Sequence, residues 1–267
     1  TTGASNSALG KSALLLNTTG ASNTALGKDA LRANTTADSN TAVGADALTS
    51  NTTGQKQVAI GVNALGANTT ASENTAVGYY ALSANTTGDR NVAVGSYSLD
   101  ANTTGDRNVA VGYGALTSLN TSGDLYNVAV GYEALQALST GTYNSAVGYA
   151  SLYACTTASY NTAFGDSALS ANTTGANNVA IGARALDANT TGQLNVAVGY
   201  NALGAQNADC YNTAVGGNCM EATTSGAYNA ALGRLALGTN TTGANNTAIG
   251  YAAMRYNTTA SNNTGIG

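Results

Sequence analysis

The 267-residue sequence contains no histidine, proline or tryptophan, only one phenylalanine, and few charged residues. The absence of histidine excludes Ser-His and Cys-His nucleophiles and most zinc sites. The net charge of −4 comes without a basic run that could grip phosphates, so we expect no nucleic-acid partner. No apolar stretch is long enough to cross a bilayer, so we expect no membrane insertion. The sequence predicts a protein that is not an enzyme and has no catalytic residue, cofactor or metal.

Glycine recurs along the whole chain at a nearly constant spacing. From Gly10 to Gly267, fourteen of fifteen intervals are 17 residues, and the interval from Gly112 to Gly131 is 19. This regularity is the signature of a repeat architecture. We number each repeat from this glycine as column 0. Columns 3 and 4 are Ala-Leu, columns 7 to 10 are Asn-Thr-Thr-Gly, and columns 13 to 16 are Asn, Thr or Val, Ala, and an aliphatic residue.

Columns 13 to 16 indicate one short strand per repeat, because they are partly β-branched and end at glycine. Alternation places columns 14 and 16 on one face and columns 0, 13 and 15 on the other. The purity of columns 4 and 16 predicts that both are buried, and the Asn of column 13 is expected to form an amide ladder between repeats. Columns 0 to 6 could be a second strand or a helical turn, and Asn-Thr-Thr-Gly is expected to be an exposed turn.

The fold predicted from these columns is all-β: a parallel β-solenoid with one rung per 17 residues and about 15 rungs, with short helical turns left open. One repeat alone cannot fold, because ordering its backbone costs roughly 17–34 kcal/mol and it buries only two large aliphatic side chains. We expect residues 1–267 to be a single continuous solenoid, an excerpt of a longer array. The two surplus residues of the long repeat should bulge at Leu119 and within Asp124–Tyr126 without shifting the register.

Short strings such as Asn91-Val-Ala-Val-Gly95 and Asn74-Thr-Ala-Val-Gly78 resemble the repeats of trimeric autotransporter adhesin (YadA-like) heads. The longer unit, as in Tyr79 to Gly95, is also similar to tandem arrays in bacterial surface proteins and phage tail fibres. The resemblance covers the whole chain. It implies a left-handed parallel β-roll, often trimeric, that is exposed outside the cell or on a virion.

The function expected from the uninterrupted repeats is structural: an extracellular filament or fibre shaft on a cell or virion surface. Copies are expected to associate with one another, by end-to-end stacking or as a homotrimer. The alternative is an adhesin or receptor-binding head that binds surface glycans or host partners. Tyrosines concentrate in columns 1 and 12, where they either cover the solenoid laterally or pack against sugars or a partner.

Two kinds of covalent modification also remain open. The Asn-x-Thr/Ser pattern makes candidate N-glycosylation acceptors, unless Asn-Thr-Thr-Gly is simply a good turn. Cys210 and Cys219 are a candidate disulfide, although Cys219 also fits as a substitute for the small residue of column 3. The candidate acceptors are Asn17, Asn34, Asn51, Asn68, Asn85, Asn102, Asn120, Asn172, Asn189, Asn240 and Asn257.

Overall fold

The structure, a computed structural model, describes residues 2–208 and 210–267. It is a parallel β-solenoid of about 15 turns with about 17 residues per turn, and the described residues contain no helix. The predicted fold class is therefore confirmed. Contacts within the chain divide it into two compact units, Thr1–Tyr132 and Glu133–Gly267.

Short strands repeat once per rung in the first unit. Three-residue strands pair in parallel in chain order, and equivalent columns are partners, as in Ala76↔Ala93. Two shorter strands, from columns 10 and 11, form a separate parallel pair. The bounds are β1 (Ser7–Leu9), β2 (Thr24–Leu26), β3 (Thr41–Val43), β4 (Val58–Ile60), β5 (Thr75–Val77), β6 (Val92–Val94), β7 (Gly105–Asp106), β8 (Val109–Val111), β9 (Gly123–Asp124) and β10 (Val128–Val130).

The second unit repeats the same ladder with a constant spacing. Each strand is three residues long and pairs in parallel with the next strand along the chain, as in Ala197↔Ala214. The bounds are β11 (Ser145–Val147), β12 (Thr162–Phe164), β13 (Val179–Ile181), β14 (Val196–Val198), β15 (Thr213–Val215), β16 (Ala230–Leu232), β17 (Thr247–Ile249) and β18 (Thr264–Ile266).

Glycine is required in column 0 for two separate reasons. Its φ lies between +126° and +145° in every rung, a backbone conformation that side chains on L-residues rarely adopt. The backbone of the next rung is also very close: a Cβ on Gly216 would lie 2.6 Å from both the carbonyl carbon and the oxygen of Gly233. The period seen in the sequence is therefore set by the turn that ends each strand.

Columns 1 to 6 form neither a second strand nor a helical turn. The chain turns here through left-handed residues in columns 2 and 4, such as Tyr80 (φ 57°) and Leu82 (φ 50°), and again in column 12, as at Arg90 (φ 59°). Among the described residues, no Val, Ile or Thr has a positive φ. β-Branched side chains are strongly disfavoured in this region, which explains why column 4 is Leu or Met.

The core is narrow and consists of columns 3, 4 and 15 together with the Asn columns. Ala81, Leu82 and Ala93 have no exposed surface, so the predicted burial of column 4 is confirmed. The predicted burial of column 16 is wrong: Leu232 is 51% exposed and Val94 is only half-buried. The small Ala of column 15 points inward from each strand, and the alternation of the strand then directs columns 14 and 16 outward.

The long repeat keeps the register of its neighbours, as predicted. Ala129 pairs with Ala110, and Val130 pairs with Val111. Leu119, however, is not surplus: it is fully buried in column 7, and its N–H donates to the carbonyl of Leu116, as the column 7 Asn does in other rungs. The additional length lies in residues 120–125, where β9 pairs with β7.

Candidate interaction surfaces

The outward-facing side chains of the strands form one uncharged surface in each unit, which we call the outer strand face. Every member is aliphatic, aromatic, Thr, Ser or Ala. In the first unit it comprises Ser7, Leu9, Thr24, Leu26, Thr41, Val43, Val58, Ile60, Thr75, Val77, Val92, Val94, Val109, Val111, Val128 and Val130. In the second it comprises Ser145, Val147, Thr162, Phe164, Val179, Ile181, Val196, Val198, Thr213, Val215, Ala230, Leu232, Thr247, Ile249, Thr264 and Ile266.

Large apolar groups on this face contact solvent. Ile60 is 40% exposed in the first unit, and Phe164 is 57% exposed in the second. In the second unit an apolar depression of about 220 Å³ lies at the small Ala230, and Val215, Leu232 and Ile249 are among the residues that line it. Contiguous apolar surfaces of this kind are uncommon on soluble monomers and mark sites of interaction.

The buried amides of column 13 are satisfied between rungs, as the ladder prediction required. The backbone N–H of Asn91 donates to Oδ1 of Asn74 (2.8 Å), and Nδ2 of Asn91 donates to the carbonyl oxygen of Gly105 (2.8 Å). The partners are therefore mainly backbone groups of adjacent rungs. The same pattern recurs in the second unit, where the N–H of Asn195 donates to Oδ1 of Asn178 (3.0 Å).

A second Asn ladder, which the turn propensity of Asn-Thr-Thr-Gly does not predict, runs through column 7. Nδ2 of Asn85 donates both to Oδ1 of Asn68 (3.1 Å) and to the carbonyl oxygen of Gly88 (2.9 Å). In the second unit Nδ2 of Asn189 donates to Oδ1 of Asn172 (3.0 Å). These side chains are fully buried, so the first residue of Asn-Thr-Thr-Gly points into the solenoid.

The glycosylation candidates would face outward only if the Asn-Thr-Thr-Gly turn exposed its Asn, and most of these Asn side chains are buried. The amide nitrogen that would carry a glycan is inside the folded chain at Asn17, Asn34, Asn51, Asn68, Asn85, Asn102, Asn172, Asn189 and Asn240. Asn257 is half-buried, and its Nδ2 donates to the carbonyl of Ala260 (3.0 Å). Asn120, in the long repeat, is the exposed candidate. Column 7 therefore has a structural role as a ladder.

The cysteines are buried in the interior. No disulfide joins Cys210 to Cys219, and Cys155 is not in a disulfide either. Burial raises the pKa of the Cys155 thiol to about 12, and burial likewise raises that of Cys219 to about 12. Thiolate chemistry at neutral pH is therefore suppressed at Cys155 and Cys219.

The charged residues of columns 11 and 12 have structural partners in adjacent rungs. Oδ1 of Asp106 accepts the backbone N–H of Asp89 (2.7 Å), so this acidic row bonds to the backbone. Glu73 lies between Arg90 (3.1 Å) and Lys56 (3.3 Å), whose hydrogen bonds and charges lower the pKa of the Glu73 carboxyl. In the described part of the chain, no group of His, Cys, Asp or Glu could hold a metal ion.

Tyrosines lie on two other sides of the solenoid. Column 12 holds stacked pairs such as Tyr211 and Tyr228, whose ring centroids are 5.2 Å apart. Column 1 holds exposed rings such as Tyr113, which is 49% exposed, and Tyr200, which is 55% exposed. The structure thus places both tyrosine rows at the surface, where lateral covering and partner binding are both geometrically open.

Comparisons with known proteins do not assign the chain to a family. No protein-family model matches it, and no curated protein matches it significantly. None of the residues that the structure describes lies in a helix long and apolar enough to span a membrane. A functional proposal therefore has to rest on the surfaces of the protein, which are an uncharged outer strand face on each unit and the exposed tyrosines. The two Asn ladders are internal and have a structural role.

Proposed function

We propose that this protein is a non-enzymatic structural protein, an extracellular filament or fibre shaft whose copies associate through the outer strand face. The observation that carries the proposal is the outer strand face on both units, where column 16 places an aliphatic or aromatic side chain in every rung and column 14 places Val, Ala, Thr or Ser, all partly or fully exposed. Burying such side chains stabilises an association by about 25 cal/mol per Å² of apolar surface, before the cost of association is subtracted.

The repeat period favours a second copy of this chain as the partner. Column 16 gives the outer strand face one apolar side chain in every rung of the ladder in each unit. A surface that matches this row over many rungs must present apolar groups with the same spacing. Another solenoid with the same 17-residue rung meets this requirement along its whole length. Lateral association of identical chains therefore explains the face better than a small ligand would.

The resemblance to YadA-like heads and to phage tail-fibre arrays supports the same proposal. It favours a homotrimer displayed on a cell or virion surface, with the outer strand faces turned toward one another. End-to-end stacking remains a second way for copies to join, because parallel strands at a sheet edge can pair with another chain. An adhesin head remains the alternative function, and the exposed tyrosines are the observation that favours it.

Sedimentation velocity can test the association with two matched pairs of variants in the second unit. Val198→Lys/Val215→Lys places charges on the outer strand face, where both side chains are half-buried. Thr174→Lys/Thr191→Lys adds the same charges at exposed positions in column 9. We expect an oligomer for the wild-type protein and the column 9 variant, and a folded monomer for the outer-face variant. A wild-type monomer, or an outer-face variant that remains oligomeric, contradicts the proposal.

A further inference from the structure

Five tyrosines of the first unit form one continuous aromatic surface, which we call the tyrosine patch. Its members come from columns 1 and 2 of adjacent rungs. Ring centroids lie 5.5 Å apart for Tyr79 and Tyr97, 6.0 Å for Tyr97 and Tyr113, and 5.4 Å for Tyr113 and Tyr132. Tyr80 contacts both Tyr79 (4.5 Å) and Tyr97 (6.1 Å). Aromatic rings therefore follow one another along the stacking direction of the rungs.

The core beneath does not require these rings as a cover. In other rungs of the same unit, columns 1 and 2 hold Lys28 and Asp29 or Ala45 and Asp46. Leu31 and Leu48, the column 4 residues of those rungs, still have no exposed surface. Tyr80 and Tyr97 also adopt φ near +57° and +58°, which is unfavourable for a bulky residue.

The patch has the charge and polarity of a site for a neutral, hydroxyl-rich ligand. Columns 1 to 6 of the first three of its four rungs, residues 79–84, 96–101 and 113–118, contain no Lys or Arg, so nothing there would attract an anion. Tyr79, Tyr113 and Tyr132 are each nearly half exposed, and a tyrosine side chain combines apolar ring carbons with a phenolic hydroxyl.

We propose that the tyrosine patch binds a linear neutral polysaccharide lying along the stacking direction of the rungs. The apolar C–H faces of successive pyranose rings would pack on successive tyrosines, and sugar hydroxyls would bond to the phenols. Because tyrosine rings recur from rung to rung, a polysaccharide gains a contact with the patch for each sugar residue that is added to it. This inference is independent of the association through the outer strand face.

Titration with cello- and chito-oligosaccharides of increasing length, followed by calorimetry, tests the inference. Tyr79→Ser/Tyr113→Ser removes two patch rings, and the matched control Tyr200→Ser/Tyr251→Ser removes two exposed column 1 rings of the second unit. Serine already occupies column 1 at Ser96, so both variants should fold, which circular dichroism can check.

We expect the affinity of the wild-type protein to rise with oligosaccharide length. Each patch ring removed should lower that affinity roughly two- to tenfold, and the control variant should bind like the wild type. The absence of binding to any of these sugars would overturn the inference. An equal loss in both variants, or binding of proline-rich peptides but of no oligosaccharide, would also overturn it.

Discussion

The neighbouring glycines Gly216 and Gly217 provide a sharp test of the structure, because alanine should have opposite effects at the two positions. Gly216 is in column 0 with φ +138°, and a Cβ there would lie 2.6 Å from the carbonyl carbon and oxygen of Gly233 and 2.8 Å from the nitrogen of Arg234. A Cβ on Gly217 meets no atom within 4 Å, and its φ lies outside the positive range. Alanine already occupies the position of Gly217 in other rungs, at Ala45 and Ala183.

The expected magnitudes follow from these two environments. Gly216→Ala combines backbone strain of about 1–3 kcal/mol with overpacking of about 1–3 kcal/mol, a loss of about 2–6 kcal/mol. Gly217→Ala should raise stability by about 0.4–1 kcal/mol, because alanine restricts the unfolded chain. Urea denaturation followed by circular dichroism measures both changes. Equal effects of the two substitutions, or a tolerated Gly216→Ala, would refute the close approach of successive column 0 turns.

Four further predictions concern the interior and its titrating groups. Leu82→Asp should destabilise the protein by more than about 4 kcal/mol in thermal denaturation, because it buries an unpaired charge, whereas Thr87→Asp on the exposed column 9 should have little effect. Gln206→Asn should raise stability by about 1 kcal/mol in urea, because Oδ1 of Asn189 is buried without a hydrogen-bond partner where Gln206 interrupts the column 7 ladder. The thiols of Cys155 and Cys219, whose pKa values burial raises to about 12, should react with a disulfide reagent only after unfolding, and labelling of the folded protein at neutral pH would contradict their placement. Burial raises the pKa of Asp100 above its ordinary value of 3.8. The contribution of Asp100 to the free energy of unfolding is therefore complete below pH 3.8, and it is lost as the pH rises through the folded-state pKa and the buried carboxyl ionises. Asp100→Asn should stabilise the protein at pH 7, and this gain in the free energy of unfolding should disappear in acid.

The period, the strands, their register and the burial of column 4 could all be predicted from the sequence. A constant spacing fixes which residues are equivalent, and parallel pairing of equivalent columns follows from it. The long repeat shows the strength of this constraint, because Ala129 and Val130 stay in line with Ala110 and Val111 despite two additional residues. Within the long repeat the assignment of Leu119 as a surplus residue was wrong, because a leucine in place of asparagine concealed its column.

Which strand face points inward could not be read from alternation alone. Alternation groups columns 14 and 16 together, opposite the Asn of column 13 and the Ala of column 15, but hydrophobicity wrongly favoured column 16 as part of the core. The usable signal was constancy of volume: column 15 is almost always Ala, whereas column 16 accepts side chains as different as Val94 and Phe164. A narrow interior tolerates little variation in size, and an outer face tolerates much more.

The column 7 ladder was missed for a related reason. Asn-Thr-Thr-Gly has the composition of a surface turn, and turn propensity gives no sign of where an individual side chain points. The substitutions in this column carried the information, because Leu119, Leu138, Cys155, Gln206 and Thr223 replace Asn there and no charged residue does. A polar column that accepts Leu and Cys but never a charge indicates a buried amide whose partners lie in the adjacent rungs.

The most direct test of the central proposal is electron cryomicroscopy of the purified protein at a resolution that separates individual solenoids. We predict assemblies in which copies meet through columns 14 and 16, with Val198 and Val215 buried between chains and the tyrosine patch left outside. Isolated single solenoids, or assemblies in which the outer strand face remains in solvent, would contradict the proposal that this face joins copies into a fibre.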